Sequence, residues 1–284
     1  MQNKIEILRE ISLSIQRVDD PGIDYLGHKD ILSAVAPDPF TVLFLNKYIL
    51  QSLEQVKIHI YARYLNEILE RCKIISFADW ANLDGVSELW EHFRAKVIKP
   101  MGRHDFEFIF NMGNTATKPS YEVDEILDII GDFSLYGKVT LILTEKDATK
   151  LWSVVTGQTS NSLTAADEVQ KGQHIFNSMN INRLLVYFPE HRIMIFSRGG
   201  RQEWMDRSLN TRNAKRPGRE VFNVGFIMGL LLQLQTIHCA VLGLTLSEAF
   251  LQNEEISDLR SLLARIDDRI RHLDHELDHE LIQS

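Results

Sequence analysis

From Ile256 onward, apolar residues recur at alternating spacings of three and four: Ile256, Leu259, Leu263, Ile266, Ile270, Leu273 and Leu277. On a heptad, Ile256, Leu263, Ile270 and Leu277 take the a positions and Leu259, Ile266 and Leu273 take the d positions. Glu280 ends the seam. The other positions from Ser257 to Asp278 are polar, charged or Ala, with Leu262 as the exception, so the stripe is narrow. A coiled coil needs such a seam, whereas a helix resting on a globular core usually carries a broader one. A lone helix of this length is marginal in water, so the seam requires a partner surface. We therefore expect an oligomerisation helix, with folding back onto the preceding apolar helix as the competing arrangement.

Upstream of the tail, the chain changes character twice. Ile5, Leu8, Ile11 and Ile15 mark one apolar helical stripe. The run from Phe40 to Ile75, with Leu45, Ile49, Leu53, Val56, Ile60, Tyr64 and Ile68, predicts a long amphipathic helix. Another helix covers Leu89 to Val97 and breaks at Lys99-Pro100-Met101-Gly102. Then Phe106–Phe110 and Val139–Leu143 are aromatic or β-branched runs of strand length, with helical spacing at Val123, Ile126, Leu127 and Ile130 between them. Thr144 stands three residues before Asp147, in the form of a capping box, so a helix starts there. Leu184–Phe188, Pro189-Glu190 and His191–Phe196 predict a hairpin. The fold class that follows is α+β and helix-rich. It has a helical N-terminal unit over 1–101, a four-stranded sheet with helices over 102–220, a buried apolar helix over 221–252 and a coiled-coil helix over 253–284.

Composition narrows the function classes. At 284 residues and 44% hydrophobic the chain can bury a large core, and its two cysteines, Cys72 and Cys239, exclude a disulfide framework. The opening residues lack the uninterrupted apolar core of a secretory signal, which predicts a cytoplasmic address. Val221–Ser247 has no charged residue and on length alone could cross a bilayer. Asn223, Gln233, Gln235, Thr236 and His238 would need partners in hydrocarbon, so a core helix is the expected reading and membrane contact is not expected.

Two patterns bear on chemistry. Arg192, Arg198, Arg201, Arg207, Arg212, Lys215, Arg216 and Arg219 face only Glu203 and Asp206 in the same stretch, a local +6 within a chain of net charge −8. Such segregation predicts an anion contact, with the Ser197-Arg198-Gly199-Gly200-Arg201 turn offering backbone amides to a phosphate. His275-Glu276-Leu277-Asp278-His279 resembles the zincin metalloprotease signature, which implies zinc held by His275 and His279 with Glu276 as base, and His272 lies one turn earlier. The heptad phase turns these histidines outward, away from any dry cavity. Asn111-Met112-Gly113-Asn114-Thr115 follows the first strand of the middle third, yet lacks the glycine spacing of a dinucleotide or nucleotide loop, and reads as a turn.

No cofactor is expected from these motifs. The sequence thus predicts a non-enzymatic oligomeric interaction or regulatory protein, a homo-oligomer or the partner of another protein. Nucleic-acid or nucleotide-phosphate binding through 192–219 is the alternative, and a zinc-dependent hydrolase is a distant third.

Overall fold

The computed structural model describes residues 2–16, 35, 38, 41–45, 67–78, 80–82, 84–157, 165–188, 192–205, 219–252, 256 and 258–283. The chain divides into two compact units. One comprises Met1–Pro39, Pro189–His191 and Trp204–Ser284, and the other Phe40–Phe188 with Arg192–Glu203.

The second unit is built on a sheet. Strands β1 (Val42–Leu45), β2 (Ile74–Phe77), β3 (Phe106–Asn111), β4 (Gly137–Thr144), β5 (Arg183–Phe188), β6 (Arg192–Ser197) and β7 (Gly200–Met205) follow one another in space in chain order. β1 to β5 are parallel and β6 returns antiparallel to β5, with Leu185 opposite Ile195. Helices α2 (Val86–Phe93), α3 (Ser120–Asp132), α4 (Glu145–Thr156) and α5 (Ala165–Ser178) connect the parallel strands. Right-handed crossovers between strands in unbroken order place every connecting helix on one face of the sheet. The core agrees: Trp90 and Phe93 of α2, Ile126 and Ile130 of α3, Leu151 of α4 and Ile175 of α5 pack with Phe77, Phe108, Phe110, Leu141 and Val186. At its centre Phe77 stacks on Phe110 at 4.6 Å and meets Trp90 and Phe133 edge-on at 5.1 and 5.2 Å.

This sheet corrects the α+β expectation. The fold is a seven-stranded mixed sheet with helices, not a four-stranded layer beneath a helical N-terminal unit. The runs at Phe106, Val139, Leu184 and Ile193 do lie in strands, but β1 falls inside the stretch read as one long helix and β2 begins on its last two residues, Ile74 and Ile75. The reason is burial. All four residues of β2 are buried, and such a strand shows a continuous apolar run without alternation, which periodicity cannot tell from a helix. Residues 46–66, on which most of that helix reading rests, lie outside the described residues.

The other unit is helical among its described residues: α1 (Gln2–Gln16), α6 (Arg219–Leu231), α7 (Thr236–Leu251) and α8 (Leu259–Gln283). The uncharged stretch 221–247 is a pair of helices, turned at Gln233 with φ of 57°. A Cβ on Gly225 would lie 2.7 Å from the Cα of Gly243, and one on Gly229 2.6 Å from the Cα of Cys239. The small residues let the two backbones touch. Gly225→Ala and Gly243→Ala are each expected to lower unfolding free energy by about 1–3 kcal/mol, the usual cost of overpacking, measured by urea denaturation. Among the described residues no helix is long and apolar enough to cross a membrane.

The coiled-coil tail is corrected as well. Ile256, Leu259, Ile266 and Leu273 are buried within this unit, where α8 packs on α1, while Leu263 and Ile270 are half-buried. Leu262, which the heptad leaves out, is fully buried. Adding Leu262 to the buried set widens the stripe into the amphipathic face of an ordinary core helix. The side chain of Leu277 is outside the described residues.

Candidate functional site

In open α/β sheets ligands bind beyond the carboxyl ends of the parallel strands, because the loops and helix starts converge there. In this chain that edge is formed by the segments after β2, β3 and β4, and each is tied to the next. The Ala81 N–H donates to the Met112 carbonyl at 2.8 Å, joining the loop after β2 to the loop after β3. Within the latter, Gly113 has φ of 79°, a left-handed turn that favours glycine, and its N–H donates to Asn111 Oδ1 at 3.4 Å.

Asp147 joins the loop after β3 to the start of α4. It is 3% exposed. One carboxylate oxygen accepts the N–H and hydroxyl of Thr115 at 3.1 and 2.9 Å. The other accepts the N–H and hydroxyl of Thr144 at 3.2 and 2.6 Å. The capping box predicted at Thr144 is therefore present, and the same carboxylate also reaches across to the neighbouring loop. With donors at all four of its lone-pair sites, Asp147 ties the two segments of the edge together.

Cations and one aromatic ring stand on this framework. Lys118 bridges Asp84 and Glu122 at 3.2 Å each and lies 5.7 Å from the Trp80 ring centroid. Lys150 donates to the Ser120 hydroxyl at 3.1 Å, and Lys146 is exposed in the first turn of α4. Tyr121 is 72% exposed beside Ser120. α3 starts after Pro119, which offers its first amides no capping oxygen. Lys118 is neutralised by its two carboxylates, so Lys146, Lys150, the Ser120 hydroxyl and the first amides of α3 are the donors this edge can offer an anion.

The structure disperses the residues singled out from sequence. Arg192 is held inside the sheet unit by Glu168 at 2.5 Å and Glu203 at 3.5 Å, with its guanidinium 3.8 Å from the centre of the Phe188 ring. Arg198 and Arg201 are exposed at the β6–β7 turn. Arg207, Arg212, Lys215 and Arg216, and the side chain of Arg219, lie outside the described residues. His272 is exposed on α8, the side chains of His275 and His279 are not described, and no cluster of three or more metal-ligating side chains occurs among the described residues. The residues missed are Lys118, Ser120 and Lys150. Their signal was positional: lysines and a hydroxyl in the segments that follow predicted strands.

No family model matches this chain, and no curated protein matches it by sequence. Solved structures do match. A Clostridium perfringens protein assigned as a sugar kinase superposes with a TM-score of 0.50 at 13% identity, over 79% of this chain and 60% of that one. The pyridoxal kinase of Staphylococcus aureus, solved with pyridoxal, superposes with a TM-score of 0.50 at 8% identity, over 72% of this chain and 71% of that one. The chain has the PfkB/ribokinase-type α/β fold. It spans 60% of the length of the sugar kinase, so what the two share is architecture. This likeness overturns the expectation of a non-enzymatic, coiled-coil regulatory protein, whose premise was a tail that the fold buries.

Proposed function

We propose that this chain is a small-molecule kinase that transfers a phosphoryl group from a nucleoside triphosphate to a hydroxyl group of its substrate. The observation that carries the reading is the fold shared with an assigned sugar kinase and a pyridoxal kinase. The carboxyl-edge loops support it. Phosphoryl transfer asks a protein mainly to position its reactants and offset negative charge. Lys146 and Lys150 supply that charge on α4, whose start Asp147 ties to the loop after β3. Two buried free cysteines suit a reducing compartment, and we place the protein in the cytoplasm.

The test is phosphate transfer from ATP with magnesium to a panel of sugars, nucleosides and pyridoxal, followed by phosphorus NMR. Transfer to one class is the expected result. Lys150→Ala is expected to raise the KM for nucleotide about 10- to 100-fold, since a hydrogen bond to a charged group is worth about 1.5–3 kcal/mol. Absence of both transfer and nucleotide binding, with the protein folded, would sink the reading.

A further inference from the structure

We propose that His238 and Glu10 form a pH-operated clasp that holds α1 against α7. His238 lies in the first turn of α7 and is 4% exposed. Its Nε2 is 2.9 Å from Glu10 Oε2 of α1, whose side chain is 61% exposed. Its Nδ1 is buried and has no hydrogen-bond partner among the described residues. In the neutral ring Nε2–H donates to the carboxylate and Nδ1 keeps a lone pair in apolar surroundings. Protonation puts an N–H at Nδ1, where no acceptor waits, and a charge in a buried place.

The surroundings offer little to offset that charge. α6 packs along α7, and its Val221–Leu231 stretch carries no ionisable side chain. On α8, Arg269 is committed to Glu248 and Arg265 to Gln252, while His272 is exposed. On α1, Glu6 and Arg9 are exposed. Among the described residues the charge acting on His238 is that of Glu10. Burial lowers the imidazole pKa from its ordinary 6.5, with Glu10 opposing in part. Released α1 frees the ring to take a proton at a higher pH than the packed state does. The clasp is therefore complete above the ordinary histidine value and weakens as pH falls through the lowered one.

α1 is the element that lets go. The glycine contacts lock α7 to α6, whereas α1 rests on the apolar side chains of Ile5, Ile7, Leu8, Ile11 and Ile15 together with polar ties. Those ties include Lys4 to the Met205 carbonyl, Ser12 to Asp267 at 3.2 Å, and the His238–Glu10 pair. Losing the His238–Glu10 pair therefore weighs on α1 more than on the backbone-packed helix pair.

The test is amide hydrogen exchange of the full chain near pH 7.5 and near pH 5, about a unit or more either side of the histidine range, corrected for the intrinsic pH dependence. The α1 amides are expected to lose protection several-fold at the lower pH while α6 and α7 hold. His238→Gln removes that loss. Glu10→Gln deepens it, because the charge that partly rescues the imidazolium is gone. Equal α1 protection at both pH values, or the same loss in His238→Gln, overturns the clasp, as does a shallower loss in Glu10→Gln. If His238→Gln does not fold, NMR titration of the wild-type ring decides: a ring that titrates below its ordinary value in step with α1 protection supports the clasp, and one at or above that value overturns it.

Discussion

Arg269→Ala is expected to lower unfolding free energy by about 3–5 kcal/mol, the cost of breaking a buried ion pair from one side. The Arg269 side chain is 9% exposed and that of Glu248 3%. The guanidinium donates to both carboxylate oxygens of Glu248, at 2.7 and 3.4 Å, and to the Thr245 hydroxyl at 3.4 Å. It also lies 6.0 Å from the Trp204 ring centroid. Truncation takes the guanidinium away from a carboxylate that is 3% exposed, and that penalty dominates over the lost contact. The double variant Arg269→Met with Glu248→Leu is expected to recover most of the loss, because it leaves no orphan charge. Urea denaturation of the two single variants and the double closes the cycle. A single-variant loss under about 1 kcal/mol, the range of exposed pairs, would show that water reaches the pair.

Asp147→Ala is the second large effect, and it bears on the candidate site. Removing the carboxylate strips partners from four donors, two of them backbone N–H groups in the segments after β3 and β4. Each buried group left unsatisfied costs about 1–3 kcal/mol, so a loss of about 3 kcal/mol or more is expected. Asp147→Asn is expected to recover only part of the loss, because its NH2 meets a backbone N–H that cannot accept and a threonine hydroxyl that must turn to do so. Thr144→Ala removes one hydroxyl and should cost about 1 kcal/mol, as for a lost N-cap. Thermal denaturation ranks the three. If the kinase reading is right, Asp147→Ala also loses nucleotide binding at temperatures where it stays folded. Retained binding would separate the cross-tie from the site.

Legibility in the sequence followed the range of the interactions. The Thr144–Asp147 capping box was readable because both partners sit within one helical turn. The antiparallel pair β5–β6 was readable because only three residues of the chain separate the two strands. β2 was not, since a strand buried on both faces looks like a piece of helix, and β1, four residues long and half-buried at three of them, is too short to show an alternation of its own. The heptad seam was read on residues that are indeed apolar, but its partner was misjudged. Whether a stripe meets a second chain or α1 of its own unit depends on contacts more than two hundred residues away in the chain, such as Ser12 with Asp267. The second duty of Asp147, towards Thr115, was hidden for the same reason.

What the sequence by itself determined is local: where helices start, which runs are apolar, where the chain turns and how charge is distributed. Those features are set by interactions over a few residues, which the order of side chains encodes directly. Only the tertiary structure decided that the strands lie in unbroken order in one sheet, that Arg192 is spent on Glu168 while Lys118 and Lys150 stand at the carboxyl edge, and that the apolar tail is core. These outcomes depend on which surfaces meet after the backbone has folded, and burial of a continuous core selects among arrangements that local pattern leaves equal.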